Sequence, residues 1–343
     1  MRRPLRFGLI GYGLWGRHHA AAIGAAPDAV LAGIAGASEA TAAAARRDFP
    51  AVPVDVGYRA LLGRPDIDAV AVVVPNHLHA EVGVAALEAG KDVLLEKPMA
   101  TTLEDCDRLL AAARGSGRIL TVGHELRLSA QYGRVKTLID AGEIGVPTYA
   151  AFSLFRFPFR PGSTGWRYDA ARVGSWILEE TVHFFDFMMW YFDGIGDPLS
   201  VQALGNVGAR GAGLSDNFTA RLRFPGQAHA VITETLAGFE YHQLLHLVGT
   251  GGAIRSWWSG VLDRTARPTF ELRVDRRGER AVETVEVERS GELVELGEQA
   301  RRVVTAFAER RPIVSGEEAR KRIVVCLAAE QSLREGREIP LTF

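Results

Sequence analysis

In the first third of the chain, short continuous apolar runs alternate with longer segments whose apolar residues recur every three or four positions. Leu5–Ile10, Val30–Ala35, Ala69–Val74, Val93–Leu95 and Arg118–Val122 read as strands. Between them, Gly16–Gly24, Glu39–Arg47, His77–Ala89 and Leu103–Ala113 read as helices. Strands that are apolar throughout, separated by helices, predict a parallel sheet covered on both faces, the doubly wound α/β arrangement. Such sheets take their ligands at the carboxyl ends of the strands.

After Val122 the alternation stops. From Thr148 onward the chain reads as strands with turn signals, interrupted by one long helix at Ser175–Trp190. "SVQALGNV", "DNFTARLRF", "AHAVITETLAG" and "QLLHLVGT" read as neighbouring antiparallel strands, extended by "GGAIRSWW" and "TFELRVD". Helices near Gly297–Arg310 and over Glu317–Arg334 close the chain. A length of 343 residues suits two domains. The expected division is a doubly wound α/β domain over 1–123 and, over 124–343, an α+β domain with mostly antiparallel strands.

Three stretches carry candidate chemistry. "GYGLWG", Gly11–Gly16, follows a strand and opens a helix, as a dinucleotide-binding turn requires. Gly11 makes the tight turn, Gly13 lets the backbone approach a pyrophosphate, and Gly16 lets helix and strand pack closely. The helix N-terminus then offers its free N–H groups to the phosphates. At the end of the second strand, where an acid usually binds the ribose 2′-hydroxyl, "GIAGASEA" has Gly36, with the small Ser38 close by. A missing acid removes a repulsion against a 2′-phosphate, so NADP is expected beside NAD. Arg46 and Arg47 lie a helix away.

The second stretch is "DVLLEKPMA", where an apolar strand ends in Glu96 and Lys97. Charged residues at such a place are ordinarily solvated, but this strand end lies where the sheet takes its ligands. Pro98 keeps Lys97 out of the helical region. The third stretch is "GSWILEETVHFFDFMMW". At about 100° per residue, Glu179, His183 and Asp186 share a narrow arc of an otherwise apolar helix. A lone histidine there is ordinarily a satisfied core residue; flanking carboxylates can instead orient it for proton transfer. Glu179 and His183 also have the spacing of two zinc ligands, but a third is lacking and no metal is expected. Before this helix, "FRFPFRPGSTGWRYDAAR" sets Arg156, Arg160, Arg167 and Arg172 among Phe155, Phe157, Phe159, Trp166 and Tyr168. Proline and glycine make it a loop, suited either to a sugar ligand or to arginine–aromatic packing.

Charge and composition narrow the partners. A formal net charge of −1 implies no nucleic acid, and no apolar run approaches the roughly 20 residues of a membrane span. "MRRPLRFGLI" and the glycine-broken stretch after it lack a signal-peptide pattern. Cys106 and Cys326, far apart in helix-like segments, fit two buried thiols in a reducing cytoplasm.

The order of motifs resembles the glucose–fructose oxidoreductase, inositol dehydrogenase and rhizopine-catabolism family, Gfo/Idh/MocA. The matching elements are "GYGLWG", "VPNHLHAEVGVAALEAGKDVLLEKPMA", "VGHELR", "GEIGVP", "GWRYD" and the helix ending "VHFFD", which span almost the whole chain. The resemblance implies a Rossmann domain followed by a domain with a large, mostly antiparallel sheet, and NAD or NADP as cofactor. It implies cofactor contacts at Gly11, Tyr12, Gly13, Leu14, Trp15, Gly16, Gly36, Ser38, Pro75, Asn76, His79, Glu96 and Lys97. It implies that Lys97 and His183 face the substrate; with the loop residues read above, the expected substrate contacts are Lys97, His124, Arg160, Trp166, Arg167, Glu179 and His183, with Lys97, His183 and Glu179 catalytic. Many sugar and cyclitol dehydrogenases of the family have Asp four residues before the histidine and Gly two before it; this chain has Glu179 and Thr181.

The expected activity is hydride transfer between a nicotinamide and a hydroxyl or keto carbon of a sugar, sugar derivative or cyclitol. Two other readings come with the resemblance: redox-assisted glycoside cleavage with a retained NAD, and a non-catalytic ligand-sensing regulator. A homodimer or homotetramer formed through the second-domain sheet is expected.

Overall fold

The structure, a computed structural model, describes residues 3–208, 213–236, 238–278 and 281–343. The chain divides into two units, Met1–Glu125 with Leu296–Ile323, and Leu126–Glu295 with Val324–Phe343. The first break lies close to the expected one. The segment Leu296–Ile323, expected in the second domain, belongs to the first unit instead. Its apolar residues explain why: Val303 and Phe307 join a core with Phe7, Leu9 and Ile34. Arg310 pairs with Asp92 at 3.1 Å and donates to the Gly117 carbonyl at 2.6 Å. Thr121 Oγ1 accepts from the N–H groups of Ile313 and Val314 at 3.1 and 3.2 Å.

The first unit runs β1 (Leu5–Ile10), α1 (Leu14–Ala25), β2 (Ala29–Gly36), α2 (Glu39–Asp48), β3 (Val54–Val56), α3 (Tyr58–Leu62), β4 (Ala69–Val72), α4 (His79–Glu88), β5 (Asp92–Glu96), α5 (Leu103–Ser116) and β6 (Leu120–Gly123). The strands form one parallel sheet in the order β3-β2-β1-β4-β5-β6. Every residue of β4, β5 and β6 is buried, as expected of strands covered on both faces. The short β3 and α3 carry too little periodicity to be read from sequence. The helix expected from His77 begins as a 3₁₀ turn at Asn76–Leu78 before α4. Side-chain caps set other ends: Ser38 and Thr41 form a capping box on α2, and Thr102 caps α5.

The second unit contains α6 (Tyr132–Asp140), β7 (Pro147–Phe155), α7 (Ala170–Val173), a π-helical turn at Ile177–Thr181, α8 (Val182–Tyr191), and strands β8 (Ser200–Asn206), β9 (Asn217–Arg223), β10 (His229–Thr235), β11 (Tyr241–Gly249), β12 (Gly252–Gly260), β13 (Thr269–Arg276) and β14 (Glu283–Thr284). Helix α9 (Glu292–Ala308) comes next, then α10 (Gly316–Glu335) and β15 (Ile339–Pro340); the unit boundaries fall within α9 and α10. The nine strands lie in the order β14-β13-β12-β11-β7-β10-β9-β8-β15. The sequence expectation of β8 to β11 as consecutive antiparallel neighbours holds for β8-β9-β10 and fails between β10 and β11. There β7 is inserted, parallel to β10 and antiparallel to β11. Position 237 of the expected third strand lies outside the described residues.

Alternation along these strands separates two faces. Ala150, Phe152, Leu154, Ile232, Leu245 and Leu247 are buried. They face α6 and α8, with the Phe152 ring stacked 4.2 Å from Phe184 and Phe187 4.9 Å from Tyr132. Tyr149, Ala151, Val231, Leu244, Val248 and Trp257 point the other way and remain half-exposed or exposed.

Candidate active site

The parallel sheet collects the first unit's candidate residues along one edge. Gly36, Gly11, Pro75, Glu96–Lys97 and His124 lie at or just beyond the carboxyl ends of β2, β1, β4, β5 and β6, which are neighbours in that order. The glycine turn has the geometry its spacing predicts. Gly11 has φ +100°, and a Cβ there would lie 2.0 Å from the Val73 carbonyl oxygen. A Cβ on Gly16 would lie 2.1 Å from the Gly11 oxygen, whereas one on Gly13 would meet nothing within 4 Å. Gly13 begins α1 with no side-chain cap and no acid in the first turn. Open space, uncapped N–H groups and a positive helix end fit a dinucleotide pyrophosphate.

Not every residue of this turn points to a ligand. The Tyr12 side chain turns into the core, where its hydroxyl donates to Asp48 at 2.9 Å and its ring meets Phe49 edge-on. Leu14 is half exposed. The Trp15 ring lies edge-on to His18 and His19 at 5.7 and 5.8 Å.

Gly36 is more constrained than the sequence suggests. The absence of a side chain reads as free room, but a Cβ there would stand 2.7 Å from the Ala42 nitrogen and 2.8 Å from Thr41 Oγ1. The second strand and α2 approach too closely for an acid at this position. Ser38 is exposed, with its hydroxyl engaged by the Thr41 N–H at 3.3 Å.

At the end of β5, Glu96 is buried and accepts from His19 Nε2 at 2.7 Å. Burial pushes its carboxyl up, but the His19 hydrogen bond and charge, Lys97 and the Trp15 indole together hold it below the usual carboxylate range. Gly123 leaves it room: a Cβ there would lie 3.2 Å from Glu96 Oε1 and 3.3 Å from Gln299 Nε2. Lys97 is half-buried, and its bond to Pro98 is cis. His79, grouped with the cofactor contacts by sequence, is buried with Nδ1 2.6 Å from the Pro98 oxygen and Nε2 2.9 Å from the Val74 oxygen. Its ring thus ties two main-chain segments together. Asn76 and His124 are buried at the same sheet edge.

In the second unit, the π turn breaks the regular angular spacing on which the Glu179–His183–Asp186 stripe was read. Each acid has its own arginine. Glu179 accepts from Arg167 Nε at 2.6 Å, and Arg167 lies over the Trp166 ring at 4.4 Å. Trp166 is itself packed with Phe159, Val173 and Trp176, so the aromatic loop is largely a small core. Asp186 accepts two bonds from Arg127, at 2.7 and 2.6 Å, both side chains being buried. Glu180, one residue from Glu179, faces Arg156 and the Tyr241 hydroxyl at 2.9 Å each. Thr181 donates its hydroxyl to Glu234 of β10. His183 is buried in the first turn of α8. Arg160 is exposed.

Sequence reasoning thus joined Glu179, Trp166 and Arg167 to one region, and the structure brings them into contact. It missed Arg127 and His19, and it named Arg156 in the loop without its partner Glu180. The signal for His19 was present: it comes three residues after Gly16, on the face of α1 that must pack on the sheet. Among the described residues no group of three or more His, Cys, Asp or Glu side chains is arranged to hold a metal, and no helix is long and apolar enough to cross a membrane.

Residues 5–124 match the model of an oxidoreductase family with an NAD-binding Rossmann fold, and residues 132–255 match a GFO/IDH/MocA C-terminal domain. The chain is 36% identical to the 1,5-anhydro-D-fructose reductase of Ensifer adhaerens over 57% of its own length and 58% of that protein's. It is 32% identical to the dTDP-3,4-didehydro-2,6-dideoxy-alpha-D-glucose 3-reductase of Saccharopolyspora spinosa, covering 90% of this chain and 88% of that one. With the myo-inositol 2-dehydrogenase of Thermotoga maritima the identity is 28% over 98% of both. A levoglucosan dehydrogenase solved with NADH superposes with a TM-score of 0.86 at 22% identity, over 99% of this chain and 100% of that one, a likeness of fold.

Proposed function

The chain belongs to the Gfo/Idh/MocA oxidoreductase family, and from that premise we propose that it transfers hydride between NAD or NADP and a carbinol or keto carbon of a sugar, sugar derivative or cyclitol. The observation that carries this reading is the sheet edge on which the open glycine turn of β1 and the Lys97 end of β5 stand with only β4 between them. The nicotinamide, when bound, supplies the hydride chemistry. Lys97 donates a hydrogen bond to the reacting oxygen and lowers the cost of its developing negative charge. His183 takes the hydroxyl proton in oxidation and returns it in reduction. Glu179, held by Arg167, binds a neighbouring hydroxyl or orients His183. The reductases and dehydrogenases among the relatives act on sugars and a cyclitol by name, which supports that substrate class.

Acceptance of NADP rests on the same strand end, where no acid stands at Gly36. Self-association uses the half-exposed face of the nine-stranded sheet, whose Tyr149, Leu244, Val248 and Trp257 form an apolar surface of the kind that marks interfaces. A panel of sugars and inositols is screened with each cofactor by the absorbance of the reduced nicotinamide, with glycoside cleavage assayed separately. Cofactor-dependent turnover of at least one sugar or cyclitol is expected; cleavage without net cofactor reduction would replace this reading.

A further inference from the structure

Lys97 has a flexible four-carbon stem, so its placement depends on how firmly the main chain around it is held. The residues on either side of it are each fastened to a buried imidazole. On one side, the Glu96 carboxylate is 2.7 Å from His19 Nε2, with both side chains nearly inaccessible. On the other, the Pro98 carbonyl oxygen is 2.6 Å from His79 Nδ1, whose opposite nitrogen is 2.9 Å from the Val74 carbonyl oxygen. Both His79 nitrogens face acceptors, so a doubly protonated ring donates to both and a neutral ring to one. His19 lies on α1, the helix begun by the glycine turn, and His79 opens α4, which comes directly after the Pro75–Asn76 turn.

We propose that His19 and His79 are positioning residues for Lys97, pinning the end of β5 from α1 and α4 so that the lysine is held against the same elements that receive the dinucleotide. This deepens the functional reading above and rests on the role given there to Lys97. His19 acts on the Glu96 carboxylate as well as on the position of the chain. The groups acting on the Glu96 carboxylate are His19 and the Trp15 indole of α1 and the neighbouring Lys97; Gln299 of α9 approaches across Gly123 as a neutral amide. Without His19, burial dominates and Glu96 takes up a proton more readily. Lys97 then loses the adjacent anion.

The test separates this inference from the reading on which it rests. His19→Leu, His19→Gln, His79→Leu and Lys97→Ala are made in the full chain and first checked for melting temperature and NADH binding by nicotinamide fluorescence. Infrared difference spectra across pH, with Glu96→Gln assigning the carboxyl band, track Glu96 without any substrate. The Glu96 band is expected to titrate at higher pH in His19→Leu than in the wild type, and to move less in His19→Gln, which keeps a donor. With a sugar or cyclitol that the wild type turns over, His19→Leu and His79→Leu are each expected to lower kcat about 10-fold or more with little change in KM, as small misplacements of a reacting group do. The acid limb of the His19→Leu kcat profile should rise in step with the infrared titration. An unmoved Glu96 titration and acid limb in a His19→Leu protein that binds NADH overturns the inference. Should that variant not fold, His19→Gln decides by the same two measurements: a smaller shift in the same direction supports the inference and none overturns it. Normal turnover in Lys97→Ala overturns the functional reading instead, and the infrared titration still decides whether His19 governs Glu96.

Discussion

The two sheets handle polar residues in opposite ways. In the six-stranded parallel sheet, β4, β5 and β6 are buried along their whole length, and their charged side chains, Asp92 and Glu96, stand only at the strand ends. In the nine-stranded sheet β7, β10 and β11 each have one buried and one more exposed set of residues, so side chains can also face outward along the strand. The difference teaches where each unit can carry function: along an edge in the first, and over a face or on the helix beneath in the second. Charges on that covering helix cannot reach solvent through a strand end. They are cancelled in place, Asp186 by Arg127 and Glu180 by Arg156.

The largest effect on stability should come from breaking one of those cancellations. Arg127→Met takes the doubly hydrogen-bonded guanidinium away from the buried Asp186 carboxylate, and a loss of about 3–5 kcal/mol is expected from urea unfolding. A near-neutral result would mean that the helix face is far wetter than its burial indicates.

Next are the residues of the proposed chemistry. Lys97→Ala and His183→Ala should each cut turnover by about 10²-fold or more while NADH binding survives, the scale of lost acid–base assistance. Ordinary rates in either purified variant would remove that residue from the mechanism.

The glycine turn sharpens the edge side of the comparison. Gly16→Ala places a methyl against the Gly11 carbonyl, backbone against backbone, and should destabilise by about 1–3 kcal/mol or more. Gly13→Ala meets nothing in the protein, so its melting temperature should hold while cofactor affinity falls. Equal loss of stability in both would contradict the distinct roles of the two positions. Gly36→Asp is not a clean cofactor switch here, because its Cβ collides with the start of α2 whichever cofactor is offered.

On the face side, Leu244 and Trp257 are cross-strand partners on the half-exposed surface. Changing both to Glu should convert an oligomer into a species of 37.2 kDa by light scattering, with NADH binding unchanged. A wild type that already runs at that mass would refute assembly through this face.

The smallest effect concerns pH. Burial, then the charges of Asp263 and Glu180, push the Glu292 carboxyl up to about 8 against the opposing Arg264 and Arg156. Its folded value lies above the unfolded one, near 4.3. The associated stability is therefore complete below the unfolded value and is lost as pH rises through about 8. The urea midpoint should fall between pH 6 and pH 9 in the wild type, a window chosen to bracket that value, and fall less in Glu292→Gln. Matching declines would show that other groups, such as Glu295, govern this limb.

Legibility in the sequence divides along the same line. Continuous apolar runs locate five of the six parallel strands to within two residues, and the glycine spacing foretells the close approaches at Gly11 and Gly16 and the open space at Gly13. The insertion of β7 between β10 and β11 was not legible, because alternation gives a strand its faces and says nothing of its neighbours. The stripe of Glu179, His183 and Asp186 was legible as residues but not as geometry: the π turn and the arginines from other segments reassign each acid. Gly36 shows the limit in one position, since a missing side chain reads as space until the neighbouring helix is seen.

The return of Leu296–Ile323 to the first unit bears on how the chain is made. During synthesis, Asp92 and Thr121 emerge long before Arg310, Ile313 and Val314, and Phe7 long before Phe307. The nascent Rossmann sheet must wait, with part of its core uncovered, until the whole nine-stranded unit but its last segment has been translated. β7 waits as well, because β10 and β11, its partners on both sides, come much later in sequence. Long-range closure of this kind slows folding and leaves unfinished edges open to aggregation. Ribosome-bound chains stopped before residue 296 should thus be far more sensitive to protease across Met1–Glu125 than the full chain.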